Sequence, residues 1–203
     1  MGILSSIKKA ISGKSDTPTT DKPQKRELPV SFYIDTVEMN REQKDQYFRA
    51  NPYSPIAIEQ RVNFTGLNYY PVDVAMRLSL PLERAAEPTP LTIRTNTGEE
   101  RPFLRIGTVS FEVEGQPATL AIYRGQDHDE LFVPFRDATS GGETYGAGRY
   151  LEPEELADGN ILLDFNAAYN PFCAYSDDFS CPLPPAENHL NVPIRAGEMN
   201  YHN

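Results

Sequence analysis

From Val72 onward, apolar residues fall on every second position: Val72, Val74, Met76, Leu78 and Leu80 alternate with Asp73, Ala75, Arg77 and Ser79. A period of two sends successive side chains to opposite faces, so this run predicts a half-buried strand. The alternation returns at Leu91/Ile93, Val109/Phe111/Val113, Leu120/Ile122, Leu131/Val133 and Ile161/Leu163/Phe165. Weaker candidates at Arg101 to Ile106 and Arg149 to Leu151 bring the total to about eight strands. Turn residues punctuate them at Asn96-Thr97-Gly98, Gly107, Glu114-Gly115 and Gly125 to Asp129. Connections this short suit an antiparallel meander, and the lack of helices between strands excludes a parallel α/β sheet. The fold class read from the pattern is mostly β, a barrel or a sandwich, with the barrel favoured because closure removes exposed edges.

Before and after this region the pattern differs. Asp35 followed by Glu38 has the form of a capped start and Asn51-Pro52 that of a stop, which predicts a helix from about Thr36 to Ala50. Its apolar stripe is thin, and Tyr47 and Phe48 are expected to pin one end to the body. Ser54-Pro55 could begin a second short helix. After Asn166 regularity ends: residues 166–193 carry Pro171, Pro182, Pro184, Pro185 and Pro193, two cysteines and a run of Asn and Tyr. A long irregular segment in a compact domain is often functional and must be held by side chains.

Charge divides the chain. Of 203 residues and a formal charge of −10, residues 1–29 hold six basic and three acidic side chains, and the remainder thirteen basic and twenty-six acidic. That is an arm of +3 on a body of −13, giving the expected organisation of a flexible basic arm over 1–29 and one mostly β domain over 30–203. Within the body Lys44 is the only lysine. An acidic body repels phosphate backbones, which disfavours nucleic acid as a partner. Base composition or a salt-adapted host accounts for the arginine bias as simply as any binding role does. No stretch approaches the roughly 18 apolar residues of a membrane span, so a cytoplasmic, soluble chain is expected. Ile3, Leu4, Ile7 and Ile11 lie at helical spacing, and residues 1–11 could dock on a membrane or partner. Met1-Gly2-Ile3-Leu4-Ser5-Ser6 matches the N-myristoylation pattern, while Lys8 and Lys9 break any signal-peptide core.

The chemistry-bearing motifs are few. The stretch Thr139 to Arg149, rich in glycine, lacks the strand, helix and Lys-Ser/Thr pair of a phosphate cradle. It can bring backbone close to a ligand with Arg136 and Arg149 as anion clamps, or form a hairpin whose arginines pair with Asp137, Glu143 or Asp164. No Gly-x-Ser-x-Gly elbow is present, and the imidazoles are limited to His128, His189 and His202. A carboxylate pair such as Asp164 with Glu143 or Glu187 would serve acid/base work. Cys173 and Cys181 admit reduced buried thiols, a disulfide, or a metal site for which His189 is a third ligand and no fourth is evident.

Three blocks carry a resemblance. They are Phe103 to Gly107, Leu131 to Gly141 with Glu143 to Leu151, and Leu163-Asp164-Phe165-Asn166 through Tyr169-Asn170-Pro171 and Cys173-Ala174-Tyr175 to Cys181 through Asn188. With Phe64 to Pro71 upstream, they resemble the domain of unknown function 1684 family over roughly residues 40–198. The resemblance implies a prokaryotic source, which argues against myristoylation. It implies no catalytic residues and no cofactor, and the family pattern often has Arg at the position of His189, which argues against zinc.

The function expected is small-molecule binding where the Gly-rich loop 139–149 meets the segment 164–188. The site residues are Arg136, Glu143, Tyr145, Arg149, Asp164, Asn166, Tyr169, Asn170, Glu187 and Asn188, which cluster in irregular segments and at strand ends. The alternatives are a carboxylate hydrolase, with or without a metal, and a structural or interaction protein whose polar blocks merely pin the tail.

Overall fold

The computed structural model describes residues 29–126 and 129–201. The expectations for the arm, for His128 and for His202 lie outside the described residues.

Helix α1 spans Val30–Ala50 and begins six residues before the predicted start. Asp35 is not its cap; Pro29 is, its φ of −52° already suited to helix entry. The end is as predicted, because Asn51 precedes Pro52 and is held extended (ψ 136°). Phe48 is 1% exposed and joins a buried cluster, whereas Tyr47 is 39% exposed and lies outside it, so Phe48 is the ring that pins the C-terminal end. The second helix, α2 (Ile58–Arg61), starts beyond Ser54. The Ser54 hydroxyl donates to Phe48 O and accepts from Ile56 N, closing a turn instead of capping a helix.

Eight strands follow among the described residues: β1 (Arg77–Pro81), β2 (Glu83–Arg94), β3 (Glu100–Val113), β4 (Gln116–Gly125), β5 (Leu131–Phe135), β6 (Arg149–Leu151), β7 (Glu154–Glu155) and β8 (Asn160–Asp164). They form two antiparallel sheets, a five-stranded meander β2-β3-β4-β5-β6 and a three-stranded sheet β1-β8-β7. The barrel expectation is thereby corrected, since β8 leaves the meander to pair with β1. Edges are managed without closure: β2 carries Pro88 and Pro90, β6 is three residues long, and the tail bridges onto both ends at Thr95↔Pro182 and Tyr150↔Tyr169.

Two local readings also change. Val74–Met76 is a 3-10 turn, and the alternation from Val72 becomes strand only at Arg77. Gly107 is not a turn, for β3 runs through it as one long strand with a register shift between Arg105 and Gly107. A side chain there would collide with the backbone of Glu83 and Arg84, so glycine lets β2 cross closely at the bulge.

The main core joins both sheets. Val109, Phe111 and Val113 of β3, Leu120 and Ile122 of β4, and Val133 and Phe135 of β5 pack with Ile161 and Leu163 of β8 and with Leu190, Val192, Ile194 and Ala196 of the tail. A second cluster of Phe48, Ile56, Phe64, Ala174 and Tyr175 fastens α1. Among the described residues no helix is long and apolar enough to cross a membrane.

Candidate functional site

On α1 the residues Tyr33, Val37, Arg41, Lys44 and Phe48 recur at spacings of four, four, three and four, which places them on one face. That face lies over the end of β8 and the 3-10 turn Phe165–Ala167, and between them is a pocket of about 420 Å³. Its wall is apolar at Phe32, Val37 and Leu162 and polar at Tyr33, Arg41, Lys44, Tyr69, Asp164 and Glu198.

One polar cluster is built on Asp164. Its Oδ1 accepts from Asn166 N (3.0 Å), capping the 3-10 turn. The Tyr33 hydroxyl donates to both carboxylate oxygens at 2.8 Å. Asn166, almost wholly buried, donates from Nδ2 to Tyr33 Oη (2.9 Å) and Asp73 O (2.7 Å) and accepts at Oδ1 from Asp73 N (2.9 Å). Arg77 stands over the Tyr33 ring at 5.1 Å, with Nε 3.6 Å from Asp164 Oδ2. Burial first, and the bond to Asp164 second, push Tyr33 above the ordinary phenol value.

The other cluster is built on Glu198, whose side chain is 2% exposed. Lys44 Nζ pairs with its Oε1, and Asn170 N and the Tyr175 hydroxyl donate to Oε2 at 2.8 Å each. Tyr69 faces the same carboxylate without reaching hydrogen-bond geometry, and burial first, then Glu198, pushes it upward. Lys44 also lies 5.1 Å from the Tyr169 ring. Gly197 makes the approach feasible: at φ +76° it passes so close to Phe165 O and Ala168 O that a side chain would collide with both. Arg41 spans the clusters, donating from Nη1 to Tyr70 O (2.9 Å) and from Nη2 to Asn166 O (3.4 Å), with its guanidinium 4.5 Å over the Tyr69 ring.

The ten residues singled out from sequence have different placements. Asp164, Asn166 and Tyr169 line the pocket, and Asn170 backs it through Glu198. Tyr169 also donates to Glu152 Oε1 (2.6 Å). Glu143 borders a separate cavity of about 340 Å³ beside Tyr69. There it accepts from Arg195 Nη2 and the Tyr70 hydroxyl at 2.9 Å, which hold it below the usual carboxylate range. Tyr145 donates to Cys173 O (3.2 Å). Arg136 is exposed and engages the tail through backbone alone, to Asn188 O and from Leu190 N.

The remaining three bond within the fold. Arg149 is fully buried: Nη2 donates to Asp137 Oδ2 (2.9 Å) and Ile194 O (2.7 Å), and Nη1 to Ala196 O (2.5 Å) and Glu198 O (3.0 Å). It pins the C-terminal segment that carries Glu198. Asn188 stands in for a strand peptide, accepting from Ala121 N (2.8 Å) and donating to Ala121 O (3.0 Å) and Pro134 O (2.9 Å). Glu187 takes the Tyr123 hydroxyl (2.7 Å) and Arg105 Nε (3.0 Å). Asp164 therefore pairs with neither Glu143 nor Glu187; the carboxylate that shares its pocket is Glu198.

Sequence reasoning missed Tyr33, Arg41, Lys44, Tyr69, Arg77 and Glu198. A signal existed for three of them: the α1 face that should be apolar carries Arg41 and Lys44 after Tyr33, and Lys44 is the body's only lysine. Cys173 and Cys181 are buried thiols packed with Tyr150. His189 is exposed, its Nε2 3.1 Å from Pro184 O. Among the described residues no three His, Cys, Asp or Glu side chains converge as metal ligands.

The comparisons agree with this architecture. No curated protein matches the chain. The solution NMR structure of an uncharacterised protein from gene locus rrnAC0354 of Haloarcula marismortui is similar, with 39% identity, a TM-score of 0.65, and coverage of 85% of this chain and 97% of that one. Residues 62–199 match the family described as "Protein of unknown function (DUF1684)", and the chain belongs to that family.

Proposed function

We propose that the chain binds a small molecule in the pocket between α1 and the β8 end of the three-stranded sheet. The observation that carries this reading is the concentration of polar side chains from five separate segments around one 420 Å³ cavity with an apolar wall. Its volume lies within the range of small-molecule sites, about 300–1,000 Å³. Asp164, Asn166 and Tyr169 of the sequence-derived set contribute from the sheet side, and α1 supplies the opposite wall. The Gly-rich loop supports the site indirectly, because Arg149 at its end holds the carbonyl of Glu198.

A ligand-observed NMR fragment screen tests the reading. Thr36 is a half-buried lining residue whose hydroxyl bonds only Phe32 O, within its own helix, so Thr36→Trp is expected to fill the pocket without removing a member of either polar cluster. Fragments that bind the natural chain and not Thr36→Trp support the site. Fragments that bind both equally refute it.

A second reading, a carboxylate hydrolase, is favoured by the presence of Asp164 and Glu198 in one pocket with the Tyr33 hydroxyl on Asp164. Tyr33 and Asp164 could exchange a proton with a substrate lying against them. An esterase, phosphatase and glycosidase panel with added divalent metals distinguishes the two: turnover abolished in Asp164→Asn favours the hydrolase, and no turnover on any substrate leaves binding as the function.

A further inference from the structure

The chemistry of the ligand follows from what the pocket leaves unpaired, an inference that rests on the pocket being a binding site. We infer that it takes a small organic carboxylate, with the acid group on Arg41 and an apolar body between Phe32, Val37 and Leu162.

Three cations, Arg41, Lys44 and Arg77, face two carboxylates, Asp164 and Glu198, leaving one net positive charge in a chain of −10. Lys44 is committed to Glu198, and Arg77 lies beside Asp164. Among the described residues, no carboxylate is within ion-pair distance of Arg41. A guanidinium has five N–H donors. Arg41 spends one N–H of each Nη on Tyr70 O and Asn166 O; its Nε–H is buried away from the cavity, so the second N–H of each Nη forms the pair offered to a ligand.

Burial is the leading influence on Arg41 and pushes its pKa down, with Tyr69, Tyr33, Glu38 and Glu198 opposing at a distance. A bound anion would offset that desolvation directly. The planar donor fork matches a carboxylate in two parallel hydrogen bonds, a geometry that an ammonium cannot supply. Charge balance favours a monoanion. A phosphate monoester carries about −1.5 to −2 at neutral pH and would bring excess negative charge toward Asp164 and Glu198. The apolar wall selects an acid with a hydrocarbon or aryl body over one that is polar throughout.

The test uses the full chain and isothermal titration with straight-chain and aryl carboxylates of about four to ten carbons, a span matched to the cavity size, each beside its primary amide and with inorganic phosphate. The expected result is an acid that binds roughly tenfold or more tightly than its amide, the scale of one charge-assisted hydrogen bond, with no phosphate binding. Arg41→Gln should bring the acid down to the affinity of the amide. If that variant does not fold, the acid-to-amide ratio in the natural chain decides alone. Equal affinity for acid and amide overturns the carboxylate inference and leaves the pocket reading intact, as does binding of phosphate in preference to every acid. Failure of acids and amides alike, with fragment binding also lost, overturns the pocket reading itself.

Discussion

Replacing Arg149 with Met removes the charged group that fastens the C-terminal segment beneath the pocket, while Met occupies much of the same stem volume. In the native fold the guanidinium is fully buried against a carboxylate, Asp137, whose side chain is 1% exposed. Its loss strands Asp137 Oδ2 and removes a donor from the carbonyls of Ile194, Ala196 and Glu198. Asp137 Oδ1 keeps Thr139 N at 2.8 Å and Thr139 Oγ1 at 2.5 Å, so the carboxylate stays in place but loses its counter-charge. Breaking a buried pair from one side destabilises by about 3–5 kcal/mol. For a chain of this size that lowers Tm by roughly 6–20 °C. Urea denaturation followed by far-UV circular dichroism reads the loss in the midpoint. The double replacement Arg149→Met with Asp137→Asn removes the stranded charge and should recover part of the stability, giving a coupling of about 1–3 kcal/mol. A loss below about 1 kcal/mol for Arg149→Met, with no coupling to Asp137, would show that the pair is not what holds the segment.

Other outcomes follow from the same geometry. Gly197→Ala combines a left-handed φ with a collision against the Phe165 and Ala168 carbonyls; it should destabilise by about 2 kcal/mol or more, and an unchanged urea midpoint would contradict this. Lys44→Met leaves Glu198 buried beside Tyr175 and Asn170 N without its cation and should destabilise by about 2–4 kcal/mol, whereas Lys44→Arg should recover most of it. Nine of the eleven tyrosines are pushed above the ordinary phenol value by burial, Tyr70 to about 12. Unfolded tyrosines ionise near 10 while folded ones stay protonated, so stability is intact below that pH and falls as pH rises through it. Absorbance at about 295 nm should rise late and together with loss of circular dichroism, and early ionisation of most tyrosines in an intact fold would refute the burial argument. The buried Cys173 and Cys181 lie in one cluster and influence each other's ionisation, which lowers Cys181 and raises Cys173; one thiolate equivalent should appear below the ordinary thiol range and the second above it, and joint titration near the free-thiol value would exclude the pairing.

Legibility varied with the range over which each feature is determined. The strand runs at 109–113, 120–122, 131–133 and 161–163 were readable because alternation is local and both sheets bury one face against a shared core. Their pairing was not, since nothing in the residues of β8 distinguishes continuation of the meander from pairing with β1. Gly107 suggests a turn because a glycine that ends a strand and one that admits a neighbouring backbone look the same along the chain; only the crossing of Glu83 and Arg84 decides. For the candidate site, the clustering of polar residues at 164–170 was visible, but the hydroxyl that donates to Asp164 lies 131 residues away at Tyr33. The α1 face is illegible along the chain for a physical reason: Arg41 and Lys44 interrupt its apolar stripe, and a thin stripe reads as a solvated helix.

By itself the sequence determined the mostly β class, the meander, the helix end at Asn51-Pro52, the contrast in charge between a basic stretch over 1–29 and an acidic remainder, and the family. These depend on local periodicity, backbone restriction and composition, which neighbours along the chain supply. Tertiary structure alone decided that the strands form two sheets instead of a barrel, that Arg149 and Asn188 hold the tail, and that α1 closes a pocket over Asp164 and Glu198. Those outcomes depend on which buried donors meet which acceptors far apart along the chain, from 49 residues between Arg149 and Glu198 to 154 between Lys44 and Glu198, and a buried charge takes the partner that the fold brings within hydrogen-bond distance.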